Sequence, residues 1–300
     1  MTSTPGSSGE RIAKINGIDL CYETFGQASA PPVVLIMGLG AQMVAWPDAF
    51  CATLAGKGHH VVRFDNRDIG RSSHLTPLGV PNTMALMGEI ALRRKLVVPY
   101  TLKDMAADTI GLIDHLDIDR AHVVGASMGG MIAQEIAIDF AARLRTLTSI
   151  MSSTGDPRIP PAAPEAAAVL FTPAPLDHDG YVKHYSNVLR VLRGPHFPEE
   201  AAEDPARVER VFARGINPAG VARQFAAILA SGNRTTALKS VKTPTLVIHG
   251  DADPLVNVEG GRMTAAAVPG AKLEIVSKMG HSLPRAVWPQ LIDAIAKHAR

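Results

Sequence analysis

Residues 121–137, AHVVGASMGGMIAQEIA, run apolar strand-formers into a serine fenced by glycines and then into a helical pattern. Glycine weakens strands and helices alike, so three of them around Ser127 imply a sharp turn with no room for side chains. A G-x-S-x-G turn with a strand before it and a helix after it lifts the serine hydroxyl to the carboxyl edge of a sheet. The first N–H groups and the dipole of the following helix then favour negative charge developing there. A serine used as a nucleophile needs a base to take its proton, and the base needs a carboxylate to orient it. His281, between Gly280 and Ser282 in the loop after AKLEIVS, is the expected base. The carboxylate is Asp251 or Asp253 in HGDADPLV (249–256). Asp253 is favoured, because Pro254 restricts its backbone to extended conformations while Asp251 suits a turn cap. His59, His60, His178, His184, His196 and His298 read as surface histidines.

An oxyanion formed at such a serine needs backbone donors. One is expected from the N–H of Met128, the residue after the serine. The other is expected from Leu39, because Gly38-Leu39-Gly40 lets the chain approach closely after the apolar run VVLIMG.

These groups must be carried by a sheet. RIAKING and IDLCYETFG pair as a hairpin about Asn16-Gly17. Strands are expected in PPVVLIMG (31–38), HVVRFDN (60–66), RAHVVGA, LRTLTSIM (144–151), PTLVIHG (244–250) and AKLEIVS (271–277). PPVVLIMG is apolar throughout, as a strand covered on both faces should be. Helices are expected at 46–54, after a Thr101/Asp104 capping box, after Ser127, and at 284–298. Strands alternating with helices imply an α/β fold with a mostly parallel sheet. Two segments break the rhythm. Residues 77–100 are long for a connection and hold a short apolar helix near 84–92. Residues 155–240, rich in Pro and Ala, hold helical patches at YVKHYSNVLRVL and VARQFAAILASG. A structureless loop of that length is improbable in a compact domain, so 155–240 reads as a helical cap inserted into a core of 1–154 and 241–300.

The formal net charge of +2, with Lys and Arg scattered, gives no nucleic-acid footprint. The polar opening MTSTPGSSGE does not read as a secretory signal, and no apolar run reaches the roughly 20 residues that span a bilayer. Cys21 and Cys51 are too few for a disulfide framework and read as reduced structural thiols, so a cytoplasmic location is expected.

On RFDNRDIGRSS (63–73), DRAHVVGASMGG (119–130), TPTLVIHGDADPLV (243–256) and MGHSLP (279–284), the chain resembles the bacterial α/β-hydrolase superfamily, and most of all its small methylesterase-type carboxylesterases. The resemblance implies an α/β-hydrolase fold with a Ser127, Asp253, His281 triad and Leu39 and Met128 as oxyanion donors. It also implies that Asp65 and Arg67 brace their loop. Met37-Gly38 stands where many members carry His-Gly, which leaves the backbone donor in place but changes its surroundings. The expected activity is hydrolysis of small, neutral, hydrophobic esters without metal or organic cofactor. Lactone or C–C hydrolysis, acyl transfer and an idle binding protein are the rivals. Met84, Met87, Phe171, Tyr181 and Tyr185, with Leu189, Phe212 and Phe225, are expected to line the substrate pocket.

Overall fold

The structure, a computed structural model, describes residues 6–300. Its centre is an eight-stranded sheet in the order β1-β2-β4-β3-β5-β6-β7-β8. β1 (Arg11–Ile15) and β2 (Ile18–Phe25) form the expected hairpin. Its turn residues Asn16 and Gly17 have φ of 51° and 79°, the left-handed pair that a two-residue turn matching strand twist requires. β2 runs antiparallel to β4 (His60–Phe64), and from there the sheet is parallel through β3 (Pro32–Ile36), β5 (Ala121–Ala126), β6 (Leu144–Ile150), β7 (Thr245–Gly250) and β8 (Lys272–Val276).

Side chains alternate across a strand, and β3 uses both sides. Val34 and Ile36 enter one apolar core, while Val33 and Leu35 enter the other. The second core is closed by α1 (Asp48–Gly56) through Phe50 and Leu54. Beyond α2 (Thr83–Ala91), the first core is closed by α3 (Leu102–His115) through Met105, Leu112 and Ile113, and by α4 (Met128–Asp139) through Ile132 and Ile136. Thr101 and Asp104 form the capping box that starts α3.

Between β6 and β7 the chain makes α5 (Pro164–Phe171), α6 (His178–Arg193), α7 (Asp204–Ala213), α8 (Pro218–Ser231) and the short α9 (Thr235–Leu238). α6 and α8 cover the two patches read from sequence; α5 and α7 had no expectation. α10 (Glu259–Ala267) follows β7, and α11 (Trp288–His298) completes the second core through Leu291, Ile292 and Ile295. The last helix starts at 288 rather than 284, after a 3-10 turn over Arg285–Val287.

Buried ion pairs tie the loop after β4 to its neighbours, in line with a bracing role for Asp65 and Arg67. Asp65 accepts from Met43 N at 2.6 Å and pairs with Arg214 of the α7–α8 connection. Arg67 grips both carboxylate oxygens of Asp108 on α3 at 2.6 and 2.7 Å. Asp68 takes two nitrogens of Arg223 at 2.8 and 2.6 Å, and the Tyr100 hydroxyl donates to it at 2.7 Å.

His59 and His60 correct the sequence reading. Both are buried, because β4 is an interior strand, and His60 at its start and His59 just before it are covered by the neighbouring strands. His59 packs edge-on to His122 of β5, with ring centroids 6.4 Å apart. His178 and His196 are exposed as expected, and His184 and His298 are half-buried.

Candidate active site

The glycines explain the turn. Ser127 adopts φ 56° and ψ −121°, a strained backbone for a residue with a side chain. A Cβ on Gly125 would overlap the Gly129 backbone, with Gly130 N at 2.6 Å. One on Gly129 would strike the Ile36 and Met37 carbonyls, and one on Gly130 would sit 2.6 Å from Ser152 Cβ. Strand β5, helix α4 and the loop after β3 thus meet at distances only glycine allows. The turn is held by Ser127 N donating to Ile150 O at 2.9 Å and by Ser152 Oγ donating to Ser127 O at 2.8 Å.

The three side chains converge. Ser127 Oγ lies 2.9 Å from His281 Nε2, and His281 Nδ1 lies 2.8 Å from Asp253 Oδ2. An ionised carboxylate only accepts, so Nδ1 carries the ring proton and Nε2 is free to accept from the serine. The other oxygen, Asp253 Oδ1, accepts from Leu255 N at 2.9 Å and Val256 N at 2.8 Å. Burial alone would raise the Asp253 carboxyl. The positive charge His281 carries when it is protonated and the bonds from His249 and His281 outweigh it, holding this acid below the usual carboxylate range. Asp251 serves elsewhere: it is exposed and accepts from Lys278 N at 2.6 Å.

Met128 opens α4 directly after Ser127 and is fully buried. Leu39 lies in the loop after β3, and that loop presses on the nucleophile. A Cβ on Gly38 would come within 3.0 Å of Ser127 Cβ and 3.4 Å of Oγ. The two expected donors therefore sit on the segments adjoining the hydroxyl.

The expected pocket residues separate into two groups. Tyr181 is buried in an apolar cluster with Met43, Val44, Val208 and Val211, and it stacks on Tyr185 at 5.4 Å. These tyrosines, with Leu189 and Phe212, join the helices between β6 and β7 to Met43 and Val44 in the segment after β3. Met84, Met87 and Phe171 are instead exposed, at 80%, 41% and 52%. Phe171 meets Phe225 of α8 edge-on at 5.2 Å, and α2, which carries the two methionines, also packs against α8.

Several residues that support the site had no place in the sequence reading. His249 Nε2 donates to Val256 O at 2.8 Å and lies 3.4 Å from Asp253 Oδ2. Asn66 Nδ2 donates to Met37 O at 2.9 Å, and Gly40 N donates to Gln224 Oε1 at 2.9 Å. The histidine loop is also tied to α6, since His281 N donates to Leu192 O at 2.7 Å. A signal for Gln224 was present: Arg223-Gln224 interrupts an otherwise apolar helical face, and both side chains are wholly buried. The two cysteines are buried and unpaired, with their thiols pushed up to about 12 by burial, which keeps them protonated and inert.

Comparison with known proteins bears on the family and the fold. The α/β hydrolase fold family matches residues 31–284. The rhodomycin D methylesterase DnrP of Streptomyces peucetius is 30% identical, over 97% of this chain and 98% of that protein. The 3-oxoadipate enol-lactonase 2 of Acinetobacter baylyi is 28% identical, over 86% and 85% respectively. Among solved structures, a hydrolase from Pseudomonas aeruginosa PA01 superposes with a TM-score of 0.71 at 25% identity, covering 97% of this chain and 98% of its own. No helix among the described residues is long and apolar enough to cross a membrane.

Proposed function

The chain belongs to the α/β-hydrolase fold family, and from that premise we propose that it is a serine hydrolase of small carboxylic esters. The observation that carries this reading is the unbroken relay from Ser127 Oγ through both His281 nitrogens to Asp253, at 2.9 and 2.8 Å. Ser127 attacks the ester carbonyl as His281 Nε2 takes the hydroxyl proton, and the new C–O bond leaves a tetrahedral oxyanion. The N–H groups of Met128 and Leu39 receive that charge. Collapse breaks the bond to the alkoxy group, which leaves as alcohol with the proton from His281. Water then attacks the acyl-enzyme, giving its proton to the same histidine; the acyl–Oγ bond breaks, His281 returns the proton to Ser127 Oγ, and the acid departs. Asp253, kept ionised, holds the ring in the tautomer that accepts from serine.

Similarity to a methylesterase, 30% identical over nearly the full length, supports a carboxylic ester as the substrate. The apolar side chains of Met84, Met87 and Phe171 favour a neutral, hydrophobic one, while Tyr181 and Tyr185 would act through the packing of the cap. A lactone is an internal ester, and likeness to an enol-lactonase makes it the second substrate to test. Steady-state rates on p-nitrophenyl esters and simple lactones, wild type against Ser127→Ala, test the reading. Ester turnover confined to the wild type is expected. Turnover of neither class by the wild type, or of both equally by the variant, would remove it.

A further inference from the structure

The loop that bears the expected oxyanion donor Leu39 is pinned on both sides by side chains from distant parts of the chain. Before it, Met37 O accepts from Asn66 Nδ2 at 2.9 Å. After it, Gly40 N donates to Gln224 Oε1 at 2.9 Å. Between these anchors lie only Gly38 and Leu39. Gly38 has no Cβ to resist peptide rotation, and Gly40 is left-handed at φ 68°. Within the turn Ala41 N donates to Gly38 O at 3.2 Å, and glycines flank Leu39 on both sides, so the direction of the Leu39 N–H depends on that bond together with what grips the ends.

Gln224 is built to be such a grip. It is wholly buried on α8, and its Nε2 donates to Arg67 O at 2.8 Å, which fixes the amide so that Oε1 faces the loop. Val221, one turn earlier on α8, packs over Gly40, where a Cβ would meet Val221 Cγ2 at 3.1 Å. The same helix packs against α2 and carries Phe225 against Phe171. α8 therefore touches the exposed apolar surface on one side and the oxyanion loop on the other.

We propose that Gln224 is a positioning residue through which the cap holds the oxyanion donor in register with Ser127. The inference rests on the serine-esterase reading above. It makes the cap part of the rate-determining machinery as well as a cover for the substrate: α8 must be seated for the Leu39 N–H to meet the developing charge.

The test compares wild type with Gln224→Met, Gln224→Glu and Asn217→Ala. Gln224→Met fills similar space without an acceptor for Gly40 N or a donor for Arg67 O, whereas Gln224→Glu, kept protonated by burial, retains both. Asn217 caps α8 by accepting from Gly220 N at 3.1 Å and does not touch the oxyanion loop, so Asn217→Ala reports general loosening of the helix. Reactive sites are counted by exhaustive fluorophosphonate labelling, and kcat, KM and the labelling rate constant are expressed per site. Losing one oxyanion donor costs about 10²- to 10³-fold in kcat, so displacing one should cost Gln224→Met about 10- to 100-fold. Its labelling rate should fall in parallel, while KM moves less than about threefold. Gln224→Glu should recover most of that loss, and Asn217→Ala should lower Tm with kcat within about twofold of wild type. A Gln224→Met enzyme with wild-type kcat per site, or a loss confined to KM or Tm, overturns the inference while leaving the esterase reading intact. So does an equal loss of kcat in Asn217→Ala, or in Gln224→Glu. A wild type inactive on every ester would instead remove the reading on which it rests.

Discussion

Asp253 Oδ2 lies 2.8 Å from His281 Nδ1, while Asp251, two residues earlier, turns outward to cap the loop through Lys278 N at 2.6 Å. Both carboxylates leave the same strand end, yet only one reaches the histidine. Pro254 restricts the backbone of Asp253, and the N–H groups of Leu255 and Val256, turning back on it, occupy its other oxygen.

Substitution of the two acids should separate these roles. Asp253→Asn leaves the shape intact but favours the wrong histidine tautomer, a change that costs about 10⁴-fold in kcat in a serine protease triad. A loss of that order is expected here, with KM nearly constant. Asp251→Asn should keep kcat within about twofold, since exposed substitutions rarely shift energies by more than about 0.5 kcal/mol. Steady-state kinetics on one p-nitrophenyl ester checks both, and equal losses would contradict the assignment.

The glycines at the turn should differ in what their replacement destroys. At Gly125 an added Cβ meets backbone, with Gly130 N at 2.6 Å, so Gly125→Ala is expected to unfold the elbow and lower Tm sharply. At Gly38 the added carbon sits 3.0 Å from Ser127 Cβ and 3.4 Å from Oγ. Gly38→Ala should therefore fold with a Tm near wild type yet lose most of its turnover. Melting curves paired with kcat distinguish the two.

Much of this site is legible in the sequence because its demands are local. Three glycines about one serine, an Asp-Pro step and a histidine between glycine and serine each constrain the backbone within a few positions. The sheet is legible for a related reason, since strands covered on both faces must be apolar throughout. What escaped depends on distance. Gln224 meets Gly40 across 184 positions, so neither residue's neighbours announce the contact. α5 and α7 went unread because alanine, proline and paired charges there obscure a 3.6-residue period. His59 and His60 looked like surface residues because burial of a strand's first residues depends on which strands flank it.

Acid should weaken the fold through the histidines at the base of the sheet. Burial, reinforced by nearby positive charge from Arg145, His59, His298 and Arg120, lowers His122 from 6.5 to about 4. Burial also lowers His59 and His60. The unfolded chain then binds more protons than the folded one between about pH 6.5 and 4, so stability falls as pH drops through that window. Urea unfolding at pH 7.5 and 5 should give a lower midpoint at pH 5. His122→Asn, which keeps a polar partner for Thr146 but cannot titrate, should reduce that difference.

Arg223 and Asp68 form a wholly buried pair joining α8 to the loop after β4. Removing one partner leaves the other charge buried alone, which typically costs about 3–5 kcal/mol. Arg223→Met is expected to lose stability of that order in denaturant titrations. A loss below about 1 kcal/mol would place the pair among those that contribute little, as exposed pairs do.

The account stands on Ser127 as the atom that breaks the ester, and replacing that single oxygen tests it most directly. Turnover of a p-nitrophenyl ester by Ser127→Ala, measured beside wild type at matched folded concentration, should fall by at least about 10³-fold, because losing the nucleophile of such a triad removes most of its rate enhancement. Turnover within about tenfold of wild type would mean that the chemistry does not pass through this serine.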